Sequence, residues 1–166
     1  MSIAVQLEPY AGSPPAVEYR WDTDTDILTA RVEGPATGVG ASGSLELEAP
    51  DGAWLILDVA RGRIVGVEVA VWPDVHKRAS LAPPEVVRDA QAMVPMDASA
   101  PGAVLVEVEA ALQAESDQDE RLIHFRVGAK RDVHVVRIGR DLLLELDAQS
   151  HIAGLWLLNV PPLPST

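Results

Sequence analysis

The chain has 166 residues, a net charge of −12 at pH 7, 48% apolar residues and no cysteine. The missing cysteines exclude a disulfide framework and a Cys-ligated zinc site, and the acidic charge argues against binding to nucleic acid. The opening MSIAVQLEPY lacks the basic and apolar regions of a signal peptide, and no run reaches the roughly 18 apolar residues of a membrane span. We therefore expect a soluble cytoplasmic protein with no membrane partner.

Short apolar runs separated by turn residues predict strands through the first half of the chain. These runs cover residues 3–7, 16–21, 27–32 and 45–47. Asp51-Gly52 is typical of a hairpin turn between strands. The Gly-rich segment 34–44 contains a G-x-G-x-x-G pattern, but strand-like residues follow it, which favours a loop over a dinucleotide site.

One helix is predicted in the middle of the chain. Pro83 and Pro84 precede an acidic residue and apolar residues at helical spacing, so we place a helix from about Pro84 to Val94, where Pro95 ends it. Residues 96–102 are predicted to form a loop.

The second half repeats the pattern of short strands. Residues 104–109 alternate Val with polar residues, 110–115 fit either a strand or a helix, and 122–127 and 133–138 are apolar runs. Gly128 to Arg131 is predicted to turn the chain between the last two of these runs.

The most informative pattern is one hairpin that occurs twice, at residues 54–73 and 142–162. Each copy has an apolar run ending in Asp (Asp58, Asp147), a short turn, and a second apolar run with an early glycine (Gly66, Gly154). A glycine inside a strand indicates a β-bulge or a close backbone approach.

The repeat predicts a mainly β fold with two β-meander repeats packed as a pseudo-symmetric sandwich or roll. We divide the chain into a first repeat (1–76), a helical linker (77–103) and a second repeat (104–166), sharing one compact domain. Alternate residues of the paired strands are predicted to build the core: Leu55, Leu57, Ile64, Val67, Val69, Leu143, Ile152, Leu155 and Leu157.

Part of this pattern is similar to a known family. Tyr19, Asp22, Asp26 and Leu28, followed by the run from Gly62 to Val69, resemble the short acidic β proteins of the domain of unknown function 2283 family. The resemblance covers about 17–73. In the second repeat it extends to Asp117, 122–127 and 152–154, with Trp156 in place of the family's glutamate. It implies a β-meander and no known activity.

Two acidic turns are candidate cation sites. Asp22, Asp24, Asp26 and Glu33 fall at positions 1, 3, 5 and 12 of a calcium loop, but the sixth position is Ile27 instead of glycine. A solvated turn is therefore favoured. The candidates that we retain for divalent metal binding are Asp22, Asp24, Asp117 and Asp119.

Four residues are candidates for a binding surface: Trp72, Trp156, His124 and His134. The two Trp residues close the paired strands, where core packing is the favoured interpretation and a ligand pocket the alternative. The two His residues are predicted to flank a hairpin turn, and the sequence does not fix whether they share a face.

No sequence motif indicates catalysis or a cofactor, so we expect a non-catalytic β module that binds a protein partner. The charge favours a basic protein as that partner. The alternative is a small-molecule binding protein or enzyme with a site between the two repeats. A third possibility is a structural protein whose sheet edges form a homodimer.

Overall fold

The computed structural model describes residues 3–35, 38–95 and 104–164. These residues form fifteen strands in two sheets. The first sheet contains β1 (Gln6–Glu8), β2 (Val17–Asp22), β3 (Ile27–Val32), β4 (Gly43–Glu48), β5 (Trp54–Ala60), β6 (Arg63–Val71), β9 (Gln91–Met93) and β10 (Val104–Glu109). The second contains β7 (Val75–Lys77), β8 (Arg88–Asp89), β11 (Leu112–Ser116), β12 (Ile123–Val127), β13 (His134–Gly139), β14 (Leu142–Leu146) and β15 (Ile152–Leu157).

The two sheets share one antiparallel pairing order. In the first sheet the order is β2-β3-β6-β5-β4, and in the second it is β11-β12-β15-β14-β13. Inner-face side chains of both sheets meet in one apolar core, as strand alternation requires. The predicted mainly β fold is confirmed, with two sheets.

The predicted core residues are all buried. Eight of the nine belong to the core between the sheets, and Leu143 belongs to a second cluster on the other face of its sheet. Each large aliphatic side chain that is fully buried contributes roughly 1.5–3 kcal/mol to folding.

The predicted helix over Pro84 to Val94 is wrong. The chain there is extended: β8 pairs with β13, and β9 pairs with β1. The N–H of Val87 also donates to the carbonyl of Val135 at 2.9 Å. Hydrogen bonds to the edges of both sheets therefore replace the local helix that the apolar spacing favours.

Residues outside the paired hairpins connect the two sheets. Strands β7 and β8 form opposite edges of the second sheet, while β9 joins the first. Strand β10, at the start of the predicted second repeat, pairs in parallel with β4 of the first sheet. The linker 77–103 therefore contributes strands to both sheets, and its predicted loop 96–102 lies outside the described residues.

The predicted bulges are present at both glycines. Asp58 pairs with Gly66 and Glu145 pairs with Gly154, and in each pair of strands the register shifts immediately after the acidic residue. Strand register therefore makes Glu145 the counterpart of Asp58, although the sequence pattern alone aligns Asp58 with Asp147.

Within the described ranges, no helix is long and apolar enough to cross a membrane.

Candidate functional site

The outer face of the second sheet carries its own apolar cluster. Leu122, Val135, Leu143 and Trp156 are buried there, and side chains of the linker pack over them. Strands β14 and β15 are consequently buried on both faces, which explains their unbroken apolar sequences.

A cavity of about 300 Å³ lies beside this cluster. Its volume is at the lower end of small-molecule sites, which span roughly 300–1,000 Å³. Ala153 and Trp156 of β15 line it, and Arg78 and Leu81 of the linker form part of its wall. The cavity therefore lies on the second sheet, next to the linker.

The strand register brings the polar groups of the cavity together. Across β11, β12 and β15, Glu115 lies beside His124, and His124 lies beside Trp156. In the neighbouring row, Arg126 lies beside Gly154. Gly154 has no side chain, and Oε1 of Glu145 occupies the space where one would begin.

His124 is held by a carboxylate and an indole ring. Its Nε2 lies 2.7 Å from Oε1 of Glu145, and since a carboxylate only accepts, the shared hydrogen belongs to Nε2. Its ring stacks on Trp156 with centroids 4.3 Å apart. The side chains of His124 and Glu145 are 17% and 9% exposed, so the pair is largely removed from water.

Cationic side chains concentrate at the cavity. Arg78, Arg126, Lys130 and Arg131 line it, from a total of 13 Lys and Arg in the chain. The opposing carboxylates are Glu115 and Glu145. The cavity is therefore cationic although the protein as a whole is strongly acidic.

Arg131 has a structural role at the cavity wall. Its Nε donates to Oδ2 of Asp147 at 3.0 Å, and its other nitrogens donate to the carbonyls of Val127, Ala129 and Ile152. Burial raises the pKa of Asp147, but the N–H groups of His151 and Gln149 and the Arg131 guanidinium outweigh it and hold the pKa below its usual value.

Two residues that line the cavity each carry a buried N–H group with no hydrogen-bond partner among the described residues. They are Nε1 of Trp156 and Nε of Arg126. A buried donor without an acceptor costs about 1–3 kcal/mol, which is a reason to look for a ligand at this place.

The other predicted binding residues lie elsewhere. Trp72 packs against the main core, where it stacks on Trp21 with centroids 5.8 Å apart and contacts Phe125. The predicted hairpin between His124 and His134 is wrong, because β13 pairs with β14 and β8 instead of β12. His124 points to the outer face, while His134 shares the inner face with Val136 by strand alternation.

The acidic turns use their carboxylates as backbone caps. Oδ1 of Asp22 accepts from the N–H of Asp24 at 3.0 Å, and Oδ1 of Asp117 accepts from those of Arg121 and Leu122. In the described part of the chain, no three His, Asp or Glu side chains are grouped to hold a metal ion. Metal binding by Asp22, Asp24, Asp117 and Asp119 stays a prediction.

The first sheet contains a counterpart of this arrangement of an arginine, a glycine and a carboxylate on neighbouring strands. Arg31, Gly66 and Asp58 are neighbours across β3, β6 and β5, as Arg126, Gly154 and Glu145 are across β12, β15 and β14. Glu68 stands where the second sheet has Trp156. Burial raises the pKa of both Asp58 and Glu68, and their mutual hydrogen bond joins two carboxyl groups.

Sequence reasoning identified His124 and Trp156 but missed Glu145, Arg126, Arg78 and Lys130. The sequence alone marks only the glycine of each repeat; that each glycine lies between an arginine and an acidic residue is visible only once the strands are paired.

No protein-family model matches the chain, and no curated protein matches it significantly. The resemblance to the domain of unknown function 2283 family stays a prediction.

Proposed function

We propose that this protein binds a small molecule in the cavity on the outer face of its second sheet. The observation that carries the proposal is the convergence of an indole ring, a carboxylate-held imidazole and cationic side chains in one cavity of about 300 Å³. The alternative from the sequence was a small-molecule site between the two repeats. This cavity lies instead on the second sheet, next to the linker.

The local structure supports binding because the walls are held before any ligand arrives. His124 is fixed by Glu145 and Trp156, and Arg131 is fixed by four hydrogen bonds. Walls held in place reduce the conformational entropy lost on binding.

A thermal-shift screen against common metabolites tests the proposal. A ligand of this cavity raises the melting temperature in a saturable way, because it binds the folded protein alone. A metabolite with that behaviour supports the proposal, whereas silence across a broad panel contradicts it.

A second candidate function is binding to a basic protein at the β10 edge of the first sheet. The register places Glu107 beside Glu46 and Glu109 beside Glu48, and like charges on adjacent strands repel. Among the described strands β10 pairs with β4 alone, so its other edge offers backbone groups for strand addition. A cationic partner would relieve the repulsion.

A lysine-rich peptide is a defined probe for this second function. Binding should weaken as salt rises and should be lost in a Glu46→Gln/Glu107→Gln variant. An Asp22→Asn/Asp24→Asn variant removes the same charge elsewhere and is the matched control. Equal binding of the peptide to both variants contradicts a site at this edge.

The homodimer predicted from the sequence is a separate question. Light scattering of the free protein tests it.

A further inference from the structure

We infer that the ligand of this cavity carries an oxyanion, either a phosphate monoester or a carboxylate, which accepts hydrogen bonds from Arg126 and Trp156. This inference rests on the proposed function and names the chemistry of its ligand.

The two buried side-chain groups that lack a partner in the cavity-lining residues are both hydrogen-bond donors. Nε of Arg126 and Nε1 of Trp156 are both donors, and neither has an acceptor among the described residues. An indole N–H and an arginine Nε–H cannot become acceptors, so a ligand that satisfies them must bring acceptor atoms. A ligand rich in donors would leave both groups unpaired.

The charged side chains that line the cavity favour a ligand whose acceptor group carries negative charge. Glu115 accepts two hydrogen bonds from Arg78, at 3.0 and 3.1 Å, and Glu145 is engaged by His124. Neither Arg126 nor Lys130 forms a salt bridge within the described ranges. Two cations therefore stand without a carboxylate partner at the same cavity.

Arg126 is well suited to this role by its position. Its Nη2 donates to Oε1 of Gln113, which fixes the guanidinium from the β11 side. On the β15 side its cross-strand neighbour is Gly154. A planar guanidinium can bind a carboxylate or phosphate through two parallel hydrogen bonds.

The net charge of −12 does not preclude anion binding. Exposed charges more than about 8 Å away are largely screened at physiological salt, so a small anion at the cavity responds mainly to the cations that line it. This locally cationic environment also makes binding sensitive to salt.

The four indole N–H signals of the ¹⁵N-labelled protein provide the test. The indoles of Trp21 and Trp72 donate to the carbonyls of Pro161 and Asp26, both at 2.8 Å, whereas those of Trp54 and Trp156 have no partner. A Trp156→Phe variant assigns the signal of Trp156, and Trp54 serves as the internal control.

Phenyl phosphate, benzoate and neutral benzamide are the three probes, since they share one aromatic ring and differ in the acceptor group. We expect a saturable shift of the Trp156 signal with phenyl phosphate, benzoate or both, and no comparable shift of the Trp54 signal. A response to one anion alone identifies phosphate or carboxylate as the preferred group.

Arg126→Gln should weaken anion binding by roughly 10- to 100-fold, as expected for loss of a charge-assisted hydrogen bond. Arg31→Gln alters the counterpart arginine of the first sheet and should leave the affinity unchanged. Equal effects of the two substitutions, equal affinity for benzamide, or no response of Trp156 to any probe overturns the oxyanion inference. The small-molecule proposal is judged separately, by the metabolite screen.

Discussion

The carboxylate of Glu145 occupies the space in which a side chain on Gly154 would begin. A Cβ atom at Gly154 would overlap with Oε1 of Glu145 and would lie 2.6 Å from the carbonyl oxygen of Phe125. The same Oε1 lies 2.7 Å from Nε2 of His124. The absence of a side chain at Gly154 therefore allows Glu145 to reach across β15 to the histidine.

Gly154→Ala should destabilise the protein by about 1–3 kcal/mol, because the Glu145 side chain can move but the Phe125 carbonyl cannot do so cheaply. Gly66→Ala is the matched control: its Cβ would lie 3.0 Å from the nearest atom, the carbonyl oxygen of Ala30. Urea unfolding of both variants measures the difference. An equal or larger loss in Gly66→Ala would contradict the account of Gly154.

His124→Phe and Glu145→Leu should each cost about 1–3 kcal/mol, since each leaves a largely buried polar group without its partner. The double variant removes both groups at once, so its loss should be smaller than the sum of the two. Unfolding free energies of the four proteins form a double-mutant cycle. Strict additivity would show that the hydrogen bond contributes no coupling.

Asp147→Asn should reduce the loss of stability in acid. The pKa of Asp147 in the folded protein is below its usual value of 3.8, so its contribution is complete above about pH 4 and is lost as the pH falls through the folded-state pKa. Urea unfolding between pH 7 and pH 3 should give a shallower decline in this variant. Asp24→Asn, at an exposed turn, removes the same charge and is the matched control.

Glu68→Gln should stabilise the protein at pH 7. Because the pKa values of Asp58 and Glu68 are raised in the folded state, folding is favoured as the pH falls and disfavoured when both groups are ionised. Removing one charge should gain about 0.2–1 kcal/mol. Chemical unfolding at pH 7 measures the gain, and the exposed Glu18→Gln should show none; a loss in Glu68→Gln would refute the repulsion.

Local sequence patterns predict most of this fold. Apolar runs and turn residues give the strands, and Gly66 and Gly154 indicate the bulges because few other residues fit a close backbone approach. The linker is the exception: the spacing of Val86, Val87 and Ala90 favours a helix, but the unpaired edges of β13 and β1 provide hydrogen bonds that no local pattern contains.

The candidate site is less predictable because it depends on strand register. His124 and Glu145 are 21 residues apart, and a shift of one residue on either strand would send one of them to the opposite face. Arg78 reaches the cavity only because the linker crosses the second sheet. The sequence alone identified Trp156 as a binding candidate. The residues that surround it can be identified only from the pairing of β12, β15 and β14.

Binding of a small molecule beside Trp156 can be tested with the strongest ligand from the metabolite screen. Its saturable rise in melting temperature should be lost in Trp156→Leu and kept in Trp54→Leu, since Trp54 has a buried unpartnered indole in the first sheet. Retention of the full rise in melting temperature in Trp156→Leu would contradict a binding site beside Trp156.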